Sequence, residues 1–178
     1  MGDHITLYAD ANGSYEAKKA ISIGRLLEDH GVAIFEEPCP FEQYEDNQAV
    51  AKALRKIKIA GGEQDTSLAR FDWICRHRAW DILQPDVFYC GGILRLLQIA
   101  KMAWEAGLQI APHSPKADPL AAPMLHVAAL IPNLYGFQEV AGFSKKGSLA
   151  YLPAFDFKGG KLPIPQGPGL GVQYDFEK

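Results

Sequence analysis

Ile34-Phe35-Glu36-Glu37-Pro38 delivers two adjacent carboxylates on the end of an apolar run and then stops at a proline. A run of this kind, Ala33 to Glu37, fits a buried parallel strand, and acids at a strand's carboxyl end stand where α/β folds gather their chemistry. One glutamate pair decides nothing alone. The fold is decided by the recurrence of the same arrangement on both sides of it.

Upstream, Ile5 to Asp10 alternates and ends in the turn signal Asp10-Ala11-Asn12-Gly13. Ser14 is placed to cap a helix whose apolar face is Ala20, Ile21, Ile23, Leu26 and Leu27 and which Gly31 terminates. Downstream, a helix is expected over Asp46 to Lys56, a strand over Lys58 to Glu63, a helix from about Ser67 and a short strand over Asp81 to Asp86. Gly91-Gly92 then opens the strongest amphipathic helix, with Ile93, Leu96, Leu97, Ala100, Ala103 and Trp104 at helical spacing. Leu108 to His113 is the next strand, and a helix to Asn133 tolerates Pro123 in its first turn. Leu134 to Val140 is the sixth strand. The remainder, rich in glycine and proline, reads as loop and edge structure.

Strand, loop, helix recurs six times, which predicts a parallel sheet with helical crossovers, closed as a barrel or open and doubly wound. Composition bounds what such a sheet does. The 178 residues, 48% hydrophobic, suffice for one core, and a net charge of −3 gives no electrostatic case for nucleic acid or an anionic membrane. No run approaches a membrane span. Three cysteines, Cys39, Cys75 and Cys90, lack disulfide or zinc-knuckle spacing and fit a reducing cytoplasm. Small-molecule chemistry is the expectation.

The ionisable residues at the strand ends are Asp10, Glu36, Glu63, Asp86, His113 and Glu139, separated by 26, 27, 23, 27 and 26 residues, each the length of one βα unit. In a (β/α)-barrel such in-phase residues point into one shared bowl, so the spacing favours the barrel. Three carboxylates on consecutive strands repel unless neutralised, and Mg²⁺ prefers oxygen ligands; Asp10, Glu36 and Glu63 are the proposed metal ligands. Asp86 accepting a hydrogen bond from His113 would fix the imidazole tautomer and raise its basicity, making His113 a candidate general base or acid. Glu139 completes the arc, placed to orient substrate or donate a proton. The set suits abstraction of a proton α to a carboxylate. Glu37, alternating away from Glu36, is assigned a structural role. Trp73, Trp80 and Trp104 are read as core or helix-packing residues, and Gly91-Gly92 lacks the spacing of a phosphate-binding fingerprint.

In these residues the chain resembles the enolase superfamily, and within it the mandelate racemase subgroup. The resemblance rests on Asp10-Ala11-Asn12-Gly13, Glu36-Glu37-Pro38, Gly62-Glu63, Gln84-Pro85-Asp86 with Gly91-Gly92 behind it, Pro112-His113-Ser114, Glu139 and Gly167-Pro168-Gly169-Leu170-Gly171-Val172. It covers nearly the whole length. It implies Mg²⁺ held by Asp10, Glu36 and Glu63, a His-Asp dyad at His113 and Asp86, and a substrate-facing acid at Glu139. It also implies dehydration of a sugar acid to a 2-keto-3-deoxy acid, with racemisation or epimerisation of a 2-hydroxy acid as the alternative.

Members of that superfamily begin with a capping domain and two further barrel strands, the second of which supplies a lysine base. This chain starts at what resembles the third strand. The expected architecture is therefore a partial TIM-type (β/α)-barrel of about six βα units, a single domain over 1–178 with the units in 1–140 and an irregular tail over 141–178. Open strand edges are an aggregation hazard, so a homo-oligomer, a complementing chain, or tail residues such as Leu149 to Phe157 are expected to cover them. A truncated, catalytically inactive chain acting as an assembly module is the competing functional reading. An open doubly wound nucleotide binder lacks the required glycine-rich first turn.

Overall fold

A computed structural model describes residues 4–116, 119–140, 151–152 and 157–174. Its frame is a parallel sheet of β1 (Leu7–Asp10), β2 (Val32–Glu36), β3 (Lys58–Gly61), β4 (Ile82–Leu83) and β5 (Gln109–Ile110), hydrogen-bonded in that sequential order. Between them run α1 (Ala17–Asp29), α2 (Tyr44–Ala53), α3 (Leu68–His77) and α4 (Ile93–Glu105); α5 (Ala122–Ala128) follows β5. Sequential order in an all-parallel sheet is what repeated βα units produce when each crossover has the same hand.

Alternation along the strands divides the sheet into two faces. Phe35, Ile59, Leu83 and Ile110 join the main core with Ala20 of α1, Val50 of α2, Phe71 and Ile74 of α3 and Leu96 and Ile99 of α4. Their sequence neighbours Ile34, Ala60 and Ile82 form a separate small cluster on the opposite face, with Ala111 and Tyr135 against it. Burying each large apolar side chain contributes roughly 1.5–3 kcal/mol, so the helix-covered face supplies most of the stability. The other face is left for the site.

Several elements differ from the sequence expectation. The sixth strand, expected over Leu134 to Val140, is represented by one parallel bridge, Ile110 to Leu134, because the chain turns away at Gly136, in the left-handed region. Ser14 does not cap α1; its hydroxyl donates to the Ala11 carbonyl and closes the preceding turn, and α1 starts after Glu16. Trp104, read as a core or helix-packing residue, is 57% exposed, while Ile99, Ala100 and Ala103 of the same helix are buried. The tail contains a two-stranded antiparallel pair, β6 (Tyr151–Leu152) with β7 (Gln173–Tyr174). The covering role expected of Leu149 to Phe157 falls largely outside the described residues.

The turn after β2 is held by a residue that the periodicity reading passed over. Asn47 is fully buried near the start of α2; its Oδ1 accepts from the Cys39 N–H, and its Nδ2 donates to the carbonyls of Cys39, Pro40 and Gln43. This fixes the Pro38-Cys39-Pro40 turn directly behind Glu36 and Glu37. All three cysteines are buried free thiols.

Asn47→Ala takes the side-chain partner from the buried Cys39 N–H and Cys39 carbonyl, while the Pro40 and Gln43 carbonyls keep their backbone donors. Each unmet group costs about 1–3 kcal/mol, so urea unfolding of this variant should show a loss of about 2–4 kcal/mol; a loss within the scatter of surface substitutions would show that the turn is held by other means.

Candidate active site

The face of the sheet carrying Ile34 opens at the carboxyl ends of the strands into a cavity of about 760 Å³. Asp10, Glu36, Glu63, His113 and Glu139 all line it. Register explains the first three. Asp10 stands opposite Glu36 across the β1–β2 pairing, and Glu36 opposite Ala60 across β2–β3, with Glu63 following β3 after the Gly61-Gly62 turn. That turn requires glycine: Gly62 has φ +110, and a Cβ there would stand 2.9 Å from the Trp80 ring.

Glu37 ends β2 in the left-handed region at φ 37 and is 1% exposed. Its N–H donates to the Ala60 carbonyl, its carbonyl accepts from the Gly13 N–H, and its carboxylate accepts from Gln64 Nε2 at 3.3 Å. Glu37 therefore ties together the loops that carry Asp10 and Glu63.

The acids do not share donors. Asp10 accepts from the Asn12 backbone N–H and amide, Glu36 from the Tyr8 hydroxyl at 2.5 Å, and Glu63 Oε2 lies 3.3 Å from His113 Nε2. Among the described residues no group of three or more His, Cys, Asp or Glu side chains is gathered about one point in an arrangement that could hold a metal ion. Like charges on adjacent strand ends repel, yet the carboxyl groups of Glu36 and Glu63 lie within hydrogen-bonding reach of each other, and Gln84 as well as Tyr8 engages Glu36. Burial, against the hydrogen bond from Tyr8 and with added repulsion from Asp10 and Glu63, still raises Glu36 to about 7. Burial, with repulsion from Glu63 and Glu36, raises Glu37 to about 7. Among the described residues lining the cavity there is no lysine or arginine. An all-oxygen set of acids under mutual repulsion, with no resident cation, suits a hard divalent ion.

His113 is held at both nitrogens. Nδ1 lies 3.0 Å from Asp86 Oδ2 and Nε2 faces Glu63; Asp86, 2% exposed, is itself fixed by the Phe88 N–H on its other oxygen. Burial works to lower the imidazole's affinity for a proton, but the Asp86 hydrogen bond and the charges of Glu63 and Glu139 outweigh it, and the net displacement is upward. Glu139 Oε2 accepts the Ser114 N–H at 2.7 Å, which holds it beside His113. The strand-end spacing thus names residues that the fold brings to one cavity, and the His113–Asp86 pair is in hydrogen-bond contact.

Two cavity residues were given no role by the sequence reading, although Gln84 stands in one of its motifs. Tyr8 bridges Glu36 and Gln84, donating to the first and accepting from the amide of the second at 2.8 Å. A signal was present: Tyr8 and Gln84 each precede a strand-end acid, Asp10 and Asp86, by two residues, the period that keeps side chains on one face.

The whole chain, residues 1–178, matches the family described as Enolase C-terminal domain-like. It is 30% identical to the arabinonate dehydratase of Saccharolobus solfataricus, over 96% of this chain and 45% of that protein. The crystal structure of L-talarate dehydratase from Polaromonas sp. JS666, complexed with Mg and L-glucarate, superposes with TM-score 0.82 and 31% identity over 99% of this chain and 47% of that one. A mandelate racemase/muconate lactonizing protein from Paracoccus denitrificans PD1222, complexed with magnesium, gives TM-score 0.90 and 27% identity, with 99% and 47% covered. The chain spans about half the length of these relatives.

The raised groups set a pH dependence of stability. The unfolded chain releases glutamate protons near 4.5 while the folded chain holds those of Glu36 and Glu37 to about 7, so stability falls as pH rises through that interval. His113 adds in the same sense: its contribution is full below 6.5 and is lost as pH rises through its higher folded value. Urea midpoints should therefore be higher at pH 5 than at pH 8, and Glu36→Gln should reduce the difference; an equal difference in the variant would contradict the assignment.

Proposed function

Because the chain belongs to the Enolase C-terminal domain-like family, we propose that its cavity serves Mg²⁺-dependent abstraction of the proton α to a carboxylate, in the dehydration of a sugar acid to a 2-keto-3-deoxy acid. Asp10, Glu36 and Glu63 would hold the cation, which when bound supplies positive charge to the substrate carboxylate as negative charge develops on it. The observation that carries the reading is the imidazole of His113, fixed by the buried Asp86 at Nδ1 and presenting Nε2 to the cavity at Glu63.

Asp86 accepts a hydrogen bond from the Nδ1–H of His113 and so leaves Nε2 as the atom that moves a proton. In its neutral form Nε2 accepts the α proton; as imidazolium it returns that proton to the departing β-hydroxyl, which leaves as water while the resulting enol tautomerises to the ketone. The upward displacement of His113 favours the donating form. Glu139, exposed beside it, is placed to orient substrate hydroxyls. The names of the relatives, an arabinonate dehydratase and an L-talarate dehydratase, agree with an acid-sugar substrate.

Mg²⁺ at a hundredfold its Kd should raise the melting temperature of the protein by about 5–10 °C, and Glu36→Gln or Glu63→Gln should abolish the rise. No rise in the unaltered protein would sink the metal assignment. In an acid-sugar library assayed for 2-keto product, His113→Asn should lower kcat/KM by about 10²- to 10⁴-fold; full activity in that variant would remove His113 from the chemistry.

A further inference from the structure

Tyr8 and Gln84 take no part in the chemistry set out above, yet they sit in contact with it. The Tyr8 hydroxyl donates to Glu36 Oε2 and accepts from Gln84 Nε2. A phenol has one proton to give; with Gln84 occupying its lone pair, that proton is directed at Glu36. Gln84 is itself anchored, 7% exposed, with its backbone N–H donating to the Gly61 carbonyl at 2.9 Å between β3 and β4. The relay thus runs from the β3–β4 pairing, through Gln84 and Tyr8, to the end of β2.

Glu36 needs such a device. It stands opposite Asp10 across the β1–β2 pairing and lines the same cavity as Glu63, and its own strand offers no donor to the carboxylate. A carboxylate held by one oxygen has a defined direction for the other. We propose that Tyr8, oriented by Gln84, is a positioning residue that fixes Glu36 through Oε2 and so presents Oε1 to the divalent cation. The inference rests on the metal reading given above.

Mg²⁺ titration calorimetry, with melting of each protein in the metal-free state, tests it. Tyr8→Phe should weaken Mg²⁺ binding by about 10- to 100-fold with a metal-free melting temperature close to that of the unaltered protein. Gln84→Leu should weaken binding in the same direction and less strongly, and the double variant should fall short of the product of the two single effects, because both act on one carboxylate. Tyr135→Phe, on the same cavity wall, should bind as the unaltered protein does. An unchanged Mg²⁺ Kd in Tyr8→Phe overturns the inference and leaves the cation site standing, as does a lowered melting temperature with unchanged Kd, the signature of packing alone. If the unaltered protein binds no Mg²⁺, both readings fall. Should Tyr8→Phe not fold, Gln84→Leu carries the same test with the phenol in place, and an unchanged Kd there overturns the relay.

Discussion

Repulsion among carboxylates brought side by side by parallel strand register is the constraint to which the rest of this molecule answers. Asp10 faces Glu36 across one strand pair, and Glu63 follows the next. Nothing in the backbone can separate them, because shifting a strand by one residue would turn Ile34 and Phe35 to the wrong faces and lose the core. The separation is therefore made by side chains. Asn12 engages Asp10, Tyr8 engages Glu36 and His113 engages Glu63, and burial first, with repulsion added, leaves Glu36 and Glu37 well above the ordinary carboxylate range.

The helices supply what the strand ends consume. Phe35, Ile59, Leu83 and Ile110 lock the sheet onto α1 to α4, and that burial outweighs the unfavourable electrostatics of the cavity face. Further devices hold the loops rigid at that face: Asn47 behind the Pro38-Cys39-Pro40 turn, and Glu37 in a left-handed conformation between Gly13 and Ala60. Stability and site geometry are thus bought on opposite faces of one sheet.

The βα alternation and the strand-end residues were legible in the sequence because they depend on local periodicity and on a spacing close to one unit's length. Glu36 and His113 could be named in this way. The partners that orient them are different in kind. Tyr8 and Gln84 are 76 residues apart, and the meeting of His113 with Glu63 depends on the curvature of the sheet; no local pattern encodes such contacts. Asn47 reads as an ordinary polar helix residue until the turn it satisfies is seen. Trp104 failed as a core residue because position within a helical stripe fixes direction only to within part of a turn. The sixth strand failed because one apolar stretch is compatible with a full ladder or with the single bridge that forms.

Gly61 and Gly62 admit Trp80 so closely that a Cβ at either would stand within 3 Å of the indole ring. For the history of the chain this means that positions 61, 62 and 80 are not three independent sites of drift. A side chain larger than hydrogen at 61 becomes acceptable only after the indole has been replaced by something smaller, position 62 is further held to glycine by its φ of +110, and replacing the indole opens a cavity under the segment carrying Glu63. The path between two workable combinations passes through a worse one, so this corner of the molecule is expected to change rarely and in concert, while the exposed helix surfaces change freely.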